Sequence, residues 1–165
     1  MADEPVVFTV RYAKDHCLAT AWRYWQRRLG TRYALELAIG SGLLVLSTQG
    51  PYRWLEIALM AAVGAFAFLG AAIFFIHWRR ALQGLAALDP PESTWTLTEA
   101  AIAQKSSLGE SAIGWQALVE VWRFDDLWLL IWGRDVYSTI PIGQLPRIAR
   151  QMIERRVKES GGRVR

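Results

Sequence analysis

Residues 57–76 form an apolar run, IALMAAVGAFAFLGAAIFFI, that contains no charge, no proline and no Asn or Gln. A helix of that length is about 30 Å long, which matches the hydrocarbon thickness of a bilayer. A core helix of a soluble protein normally carries a polar stripe, and this run has none on any face. The run therefore predicts a membrane-spanning helix rather than a buried core helix.

A second, shorter apolar run precedes it at residues 33–49. The segment between the two runs contains the turn signal Gly50-Pro51, together with Arg53 and Glu56, whose charges are costly at bilayer depth. The simplest interpretation is a transmembrane helical hairpin over residues 32–80, with spans at about 33–49 and 57–76. Ala38 with Gly42 and Ala61 with Ala65 would let the two helices approach closely.

The basic residues predict the orientation of this hairpin. Four arginines lie just before or at the start of the first run and two follow the second, whereas the connecting turn has only Arg53. The positive-inside rule then places both termini in the cytoplasm, so the expected location is the inner membrane, as a multi-pass protein. The residues expected at the membrane interface are Arg27, Arg28, Arg32, Trp54, Trp78, Arg79 and Arg80.

Glu36 is the one carboxylate inside the first run. It lies one helical turn after Arg32, so an ion pair between them, or contact with lipid headgroups, explains it without a special function. The alternative is an intramembrane carboxylate that lines an ion or proton path.

The pattern changes after Asp89-Pro90-Pro91, because consecutive prolines cannot continue a helix. From Ser93 onwards, apolar and polar residues alternate in short runs separated by turn signals, which predicts five or six antiparallel strands. An amphipathic helix follows, with Leu145, Ile148, Ala149, Met152, Ile153 and Val157 on its apolar face. Strands closed by one helix indicate an α+β, pleckstrin-homology (PH)-like domain at residues 92–160, with a basic tail at 161–165.

The N-terminal segment, residues 1–31, combines a strand pattern with an amphipathic helix before the first span. Val6, Phe8 and Val10 alternate with Val7 and Thr9, and a lone strand needs a partner. Because the orientation puts this strand on the same side as residues 92–160, we expect it to pair with the C-terminal sheet. The helix after it either lies at the membrane surface or runs straight into the span.

The motif IGWQALVEVWRFDDLWLLIWGRDVYSTIPIGQLP, preceded by two spans, resembles the YcxB-like family of bacterial membrane proteins. The matching positions are Trp115, residues 119–124, residues 127–132 and Ile140-Pro141, and the N-terminal FTVRY fits as well. Family members commonly carry Lys or Arg after the Ile-Pro step, where this chain has Ile142-Gly143. The resemblance implies the fold and a membrane location, and no catalytic residues.

The sequence contains no pattern typical of a catalytic, cofactor or metal site. His16, Cys17 and His77 lack metal-ligand spacing, and no glycine loop suited to phosphate is present. Trp122, Trp128 and Trp132 form a candidate partner surface, with packing in the core as the alternative. The net charge is +4, but the arginines crowd the span ends, so we expect lipid rather than nucleic acid as the partner.

These observations favour a non-enzymatic protein anchored in the inner membrane, whose PH-like cytoplasmic domain contacts a protein partner or the membrane surface. Membrane lipids are expected partners, and a protein partner or a homo-oligomer remains open. The alternatives are an immunity protein against a membrane-acting toxin and a small transport or channel component that uses Glu36.

Overall fold

The α+β architecture predicted from the sequence is present in the computed structural model, which describes residues 4–133 and 136–165. Residues 1–3 of the predicted N-terminal segment, and Arg134 and Asp135, lie outside the described residues. The helices are α1 (Lys14–Arg28), α2 (Gly30–Ser47), α3 (Arg53–Ala86) and α4 (Arg147–Glu159). The strands are β1 (Val6–Arg11), β2 (Glu92–Leu97), β3 (Ala101–Ser106), β4 (Gly109–Gly114), β5 (Glu120–Arg123), β6 (Leu127–Ile131), β7 (Tyr137–Pro141) and β8 (Arg163–Val164).

The first sheet has the strand order β1-β2-β3-β4, with antiparallel pairing throughout. Strand β1 pairs with β2 from Val6 opposite Leu97 to Arg11 opposite Glu92, which confirms the predicted partner of the N-terminal strand. Side chains alternate along both strands, so Val10 and Leu97 are fully buried while their neighbours face outwards. Residues 12–91 are therefore an insertion between two adjacent strands.

The second sheet has the order β7-β6-β5-β8. The loop at Asp125-Asp126 connects β5 and β6, as the turn residues predicted. The prediction of a basic tail at residues 161–165 is wrong for its last part, because Arg163 and Val164 form β8. Strand β8 pairs with β5 in parallel, so the sheet is not wholly antiparallel.

Helix α4 covers the hydrophobic core through Ala149, Met152, Ile153 and Val157. Leu145 is buried just before the helix begins, but Ile148 is 66% exposed, so its predicted place on the apolar face is wrong. Successive helical residues are rotated by about 100°, which carries Ile148 past the edge of the face centred on Ala149 and Ile153.

The described chain divides into two units. The first contains residues up to Thr20 and Leu82–Arg165, and holds both sheets and α4. The second is Ala21–Ala81, with the C-terminal half of α1, all of α2 and most of α3. The axes of α1 and α2 differ by 68°, so the helix before the first apolar run does not continue straight into it. Gly30 has a φ of +42°, which suits the residue at this bend.

Candidate functional site

Helix α3 is the one described helix that is by itself long and apolar enough to cross a membrane. Its most apolar window has a mean hydropathy of 2.4, and only 6% of that window is buried. Ile57, Met60 and Leu69 along it are each more than half exposed, and Phe68 is 74% exposed. Helix α2 passes the same test only together with α1, as a bent pair.

The contact between α2 and α3 is built around Tyr33 and Gly70. The Tyr33 hydroxyl donates to the carbonyl oxygen of Phe66 at 2.9 Å, with the Ala67 carbonyl oxygen at 3.2 Å. A Cβ at position 70 would overlap the phenol of Tyr33, so only glycine fits there without movement. The Tyr33 and Phe66 rings stack at 4.7 Å, which brings this part of α2 against α3.

The sequence predicted close helix approach at Gly42, but nothing lies within 4 Å of a Cβ built there. Closer approach occurs at Gly40, where a Cβ would lie 3.1 Å from Val63 Cγ2, and at Gly70. The four-residue spacing of small residues did not identify the contact because it does not say which side of a helix faces its neighbour.

An aromatic cluster joins the end of α1 to the same part of α3. The Trp25 indole donates to the Gly70 carbonyl oxygen at 3.0 Å and meets the Tyr33 ring edge-on at 5.5 Å. Trp22 stacks on Trp25 at 5.5 Å and meets Phe74 at 6.2 Å, while remaining 47% exposed. The Trp25 indole keeps its polar N–H partnered beside an apolar surface, an arrangement common at membrane–water interfaces.

The groove between α2 and α3 contains two adjoining clefts that share Glu36 and Phe66. The first, here the basic cleft, has a volume of about 240 Å³ and is lined by Arg28, Leu29, Arg32, Tyr33, Glu36, Phe66, Leu69, Gly70 and Ile73. The second, here the apolar cleft, has a volume of about 280 Å³ and is lined by Glu36, Leu37, Gly40, Leu59, Ala62, Val63 and Phe66. Arg28 and Arg32 therefore line the basic cleft only, whereas Glu36 lies where the two clefts meet.

Glu36 pairs with Arg32, as the sequence predicted: the Arg32 Nε lies 3.2 Å from a Glu36 carboxylate oxygen. Both side chains are well exposed, so the pair contributes only a few tenths of a kcal/mol, about 0.3–0.5 in water. Arg28 is also exposed and lines the basic cleft beside them.

The remaining expected interface residues lie on the same helices. Arg27, Arg79 and Arg80 are exposed, Trp54 is exposed near the start of α3, and Trp78 is half-buried against Phe75 at 5.6 Å. Their contact with lipid remains a prediction.

The tryptophans expected as a partner surface are largely inside the protein. Trp122 and Trp128 are buried, and the Trp122 indole donates to Glu120 Oε2 at 2.6 Å. Trp132 is half-buried and donates to Ser138 Oγ at 2.9 Å. An exposed stacking surface is therefore wrong for Trp122 and Trp128, because consecutive residues of β5 and all five residues of β6 are buried, so both faces are covered there.

A shallow cleft beside α4 is a further exposed feature that the sequence did not identify. It has a volume of about 300 Å³ and is lined by Glu4, Val6, Glu99, Ile148, Gln151, Met152 and Arg155. Arg155 pairs with Glu99, and the exposed Ile148 lies along one wall. The only sequence signal was Ile148 itself, which the helical pattern assigned to the core.

Burial raises the pKa of two ionisable side chains among the described residues of the first unit, Tyr12 and Cys17. Burial raises the pKa of the Tyr12 phenol, and its hydrogen bond with Ser93 Oγ at 2.9 Å offsets part of that rise. Burial also raises the pKa of the Cys17 thiol, which makes the reactive thiolate scarce at neutral pH. His16 accepts a hydrogen bond from the Ala13 backbone at its Nδ1, and His77 packs on Tyr24 at 4.8 Å.

Within residues 4–133 and 136–165, no group of three or more His, Cys, Asp or Glu side chains is arranged to hold a metal ion. Comparison of the chain with protein-family models, with curated proteins and with solved structures gives no match.

Proposed function

We propose that this protein is a non-enzymatic membrane anchor for a small interaction domain, with α2 and α3 crossing the bilayer and both termini in the cytoplasm. The observation that carries the proposal is the exposure of α3. A helix this apolar that is buried over only 6% of its most apolar window is poorly explained as a core helix of the chain. Lipid is the solvent that suits such a surface.

The pairing of β1 with β2 supports two crossings rather than one. The inserted segment leaves the sheet after Arg11 and returns at Glu92, and these residues are directly paired. Tyr12 N also donates to the Pro91 carbonyl oxygen at 2.8 Å. A segment whose two ends meet on one side of a membrane crosses it an even number of times. If α3 is one crossing, α2 is the other.

Helix lengths support a position for the bilayer. Helix α3 has 34 residues and is therefore about 51 Å long, well above the ~30 Å of hydrocarbon. Counting ~30 Å from Trp54 reaches Phe74, which contacts Trp22 on α1. This count supports a cytoplasmic boundary near the 68° bend and the arginines of the basic cleft, with α1 turned towards the membrane surface.

Strand order supports a PH-like fold for the first unit and the YcxB-like resemblance. Strands β1–β4 form one sheet, β5–β7 lie in the other, and α4 follows and packs on the shared core. The transmembrane hairpin then replaces the β1–β2 loop, and β8 adds a parallel strand beside β5.

The non-enzymatic assignment is supported by the ion pairs that charged side chains of the domain form with one another. Arg123 pairs with Glu154 at 2.8 Å, and Arg156 pairs with Glu159 at 2.7 Å. These surface ion pairs stabilise the domain modestly and prepare no catalytic acid or base. The cleft beside α4, with exposed Ile148, is the surface that we assign to a protein partner.

Topology of the full chain tests the proposal. In a Cys17→Ala background, single cysteines at Gln49, Glu4 and Glu110 are labelled with a membrane-impermeant maleimide in intact cells and after permeabilisation. We expect Gln49→Cys to react from outside, and Glu4→Cys and Glu110→Cys only after permeabilisation. Reaction of all three from the same side, or release of the chain by alkaline carbonate, would reject the proposal.

A photo-crosslinker at position 148 tests the partner surface in cells. The control carries the same photo-crosslinker at Val119, which is also exposed but lies outside the cleft. A crosslinked protein found only from position 148 supports the cleft, whereas the same protein from both positions would argue against it. Both variants retain the full chain and its membrane segments.

A further inference from the structure

We propose that the groove between α2 and α3 is a binding site for one anionic phospholipid of the cytoplasmic leaflet, an inference that rests on the proposed membrane anchoring. The lipid phosphate lies at the basic cleft and one acyl chain lies along the apolar cleft. The two clefts adjoin through Glu36 and Phe66, so one amphiphilic molecule can occupy both.

The charge of the basic cleft favours an anion. Its ionisable side chains with formal charge are Arg28, Arg32 and Glu36, which leave a net charge of +1. Glu36 is paired with Arg32 at 3.2 Å, so it orients that guanidinium while Arg28 stays exposed beside it. Two guanidinium groups at the level of the headgroups are well suited to contact one phosphate.

The walls of the groove suit an acyl chain. Between Leu59 and Phe66 on α3, the apolar cleft extends over 7 helical steps, or about 10 Å, which lines about two thirds of one leaflet of hydrocarbon, ~15 Å. Gly40 and Ala62 keep the apolar cleft open because they carry little or no side chain. Leu59, Val63 and Phe66 offer apolar contacts along its length.

The separation of charge and apolar surface argues for this occupant over others. Free phosphate would use the basic cleft alone and leave the apolar cleft without a role. A helix from a second copy would bury the apolar cleft and have no need of Arg28. A phospholipid matches the charged end and the apolar end together, and its headgroup reaches only the cytoplasmic boundary, where the arginines lie.

The test uses the purified full chain in detergent, with native mass spectrometry of bound lipid and thermal unfolding as readouts. Phosphatidylglycerol is compared with phosphatidylethanolamine and with inorganic phosphate. We expect retention and thermal stabilisation with phosphatidylglycerol only. The double variant Arg28→Gln/Arg32→Gln should bind phosphatidylglycerol at least about tenfold more weakly. Loss of a single charge-assisted contact already accounts for that factor. The control Arg147→Gln/Arg163→Gln, two exposed arginines outside both clefts and outside the expected membrane interface, should bind as the parent does.

A second matched pair tests the apolar cleft. Ala62→Phe fills the cleft and should reduce retention of phosphatidylglycerol, whereas Ala61→Phe, the exposed neighbour outside the lining, should not. Circular dichroism and the thermal midpoint without lipid verify that each variant is folded.

Several outcomes would overturn the site. These are equal retention of the two lipids, stabilisation by inorganic phosphate alone, equal behaviour of the two arginine pairs, or a change of oligomeric state with Ala62→Phe at unchanged lipid binding. The last would assign the groove to a second copy. If the chain instead remains in aqueous solution without detergent, the membrane anchoring itself fails. If the chain needs detergent but binds the two lipids equally, only the lipid site is rejected and the membrane anchoring stands.

Discussion

The phenol of Tyr33 on α2 packs on Gly70 of α3, and its hydroxyl donates to the Phe66 carbonyl oxygen at 2.9 Å. Trp25 donates to the carbonyl oxygen of Gly70 itself, so α1, α2 and α3 all meet at this one glycine. The polar atoms of both aromatic side chains are thereby partnered within the protein. In lipid this matters because no water is present to take over a lost hydrogen bond.

We expect Gly70→Ala to destabilise the helix pair, because the added methyl group overlaps the Tyr33 phenol. Overpacking of this kind costs about 1–3 kcal/mol. The matched control is Gly64→Ala on the same helix, where nothing lies within 4 Å of the new methyl group. The control should be neutral or slightly stabilising, since alanine favours helix over glycine by up to ~1 kcal/mol. Thermal unfolding of the detergent-solubilised chain distinguishes the two, and equal midpoints would contradict the assigned contact.

Tyr12 should make the first unit sensitive to alkaline pH. Its pKa is raised from 10.0 by burial, so the folded state favours the neutral phenol. A raised folded pKa means that this stabilisation is complete below the unfolded pKa of about 10 and is lost as pH rises through the folded value. Tyr12→Phe should therefore flatten the fall in thermal midpoint above about pH 10. Tyr52→Phe, which changes an exposed tyrosine, is the control and should follow the parent curve.

Cys17 should react slowly with maleimide in the folded protein. The side chain is buried and its pKa is raised by burial, so both access and thiolate content are low. In a Cys17→Ala background, Ser111→Cys on the exposed strand β4 provides a matched thiol and should react at the rate of an open cysteine. Denaturant should bring the two rates together. A fast reaction of native Cys17 without denaturant would contradict its buried position.

Removal of residues 163–165 should destabilise the first unit, because β8 is part of a sheet. Arg163 N donates to the Val119 carbonyl oxygen at 3.0 Å, and Arg165 N donates to that of Val121 at 2.9 Å. Each backbone hydrogen bond contributes about 0.5–1.5 kcal/mol net, so the deletion should lower the midpoint by several degrees. Arg163→Gln keeps the strand and removes one exposed charge, and it should change little. If the substitution and the deletion behave alike, β8 acts as a charged tail after all.

Local patterns predicted much of this protein because each depends on neighbouring residues. Alternation predicted the strands from Ser93, the turn at Asp125-Asp126 lies where its residues indicated, and Asp89-Pro90-Pro91 marks the end of α3 within a few residues. The ion pair of Arg32 with Glu36 follows from their four-residue spacing. The apolar character of α3 needs no tertiary information at all.

Contacts between distant segments were decided by the tertiary structure. The sequence is equally compatible with Trp122 and Trp128 on the surface or in the core. In the structure, packing on the sheet buries both side chains. The sequence of Arg163 and Val164 is typical of a solvated tail. In the structure they pair with the edge of β5 instead. The identity of Gly70 as the contact glycine, and the joining of two clefts into one groove, depend on how α2 is rotated against α3. Sequence spacing describes one helix at a time, and which faces meet is settled only when the two surfaces pack together.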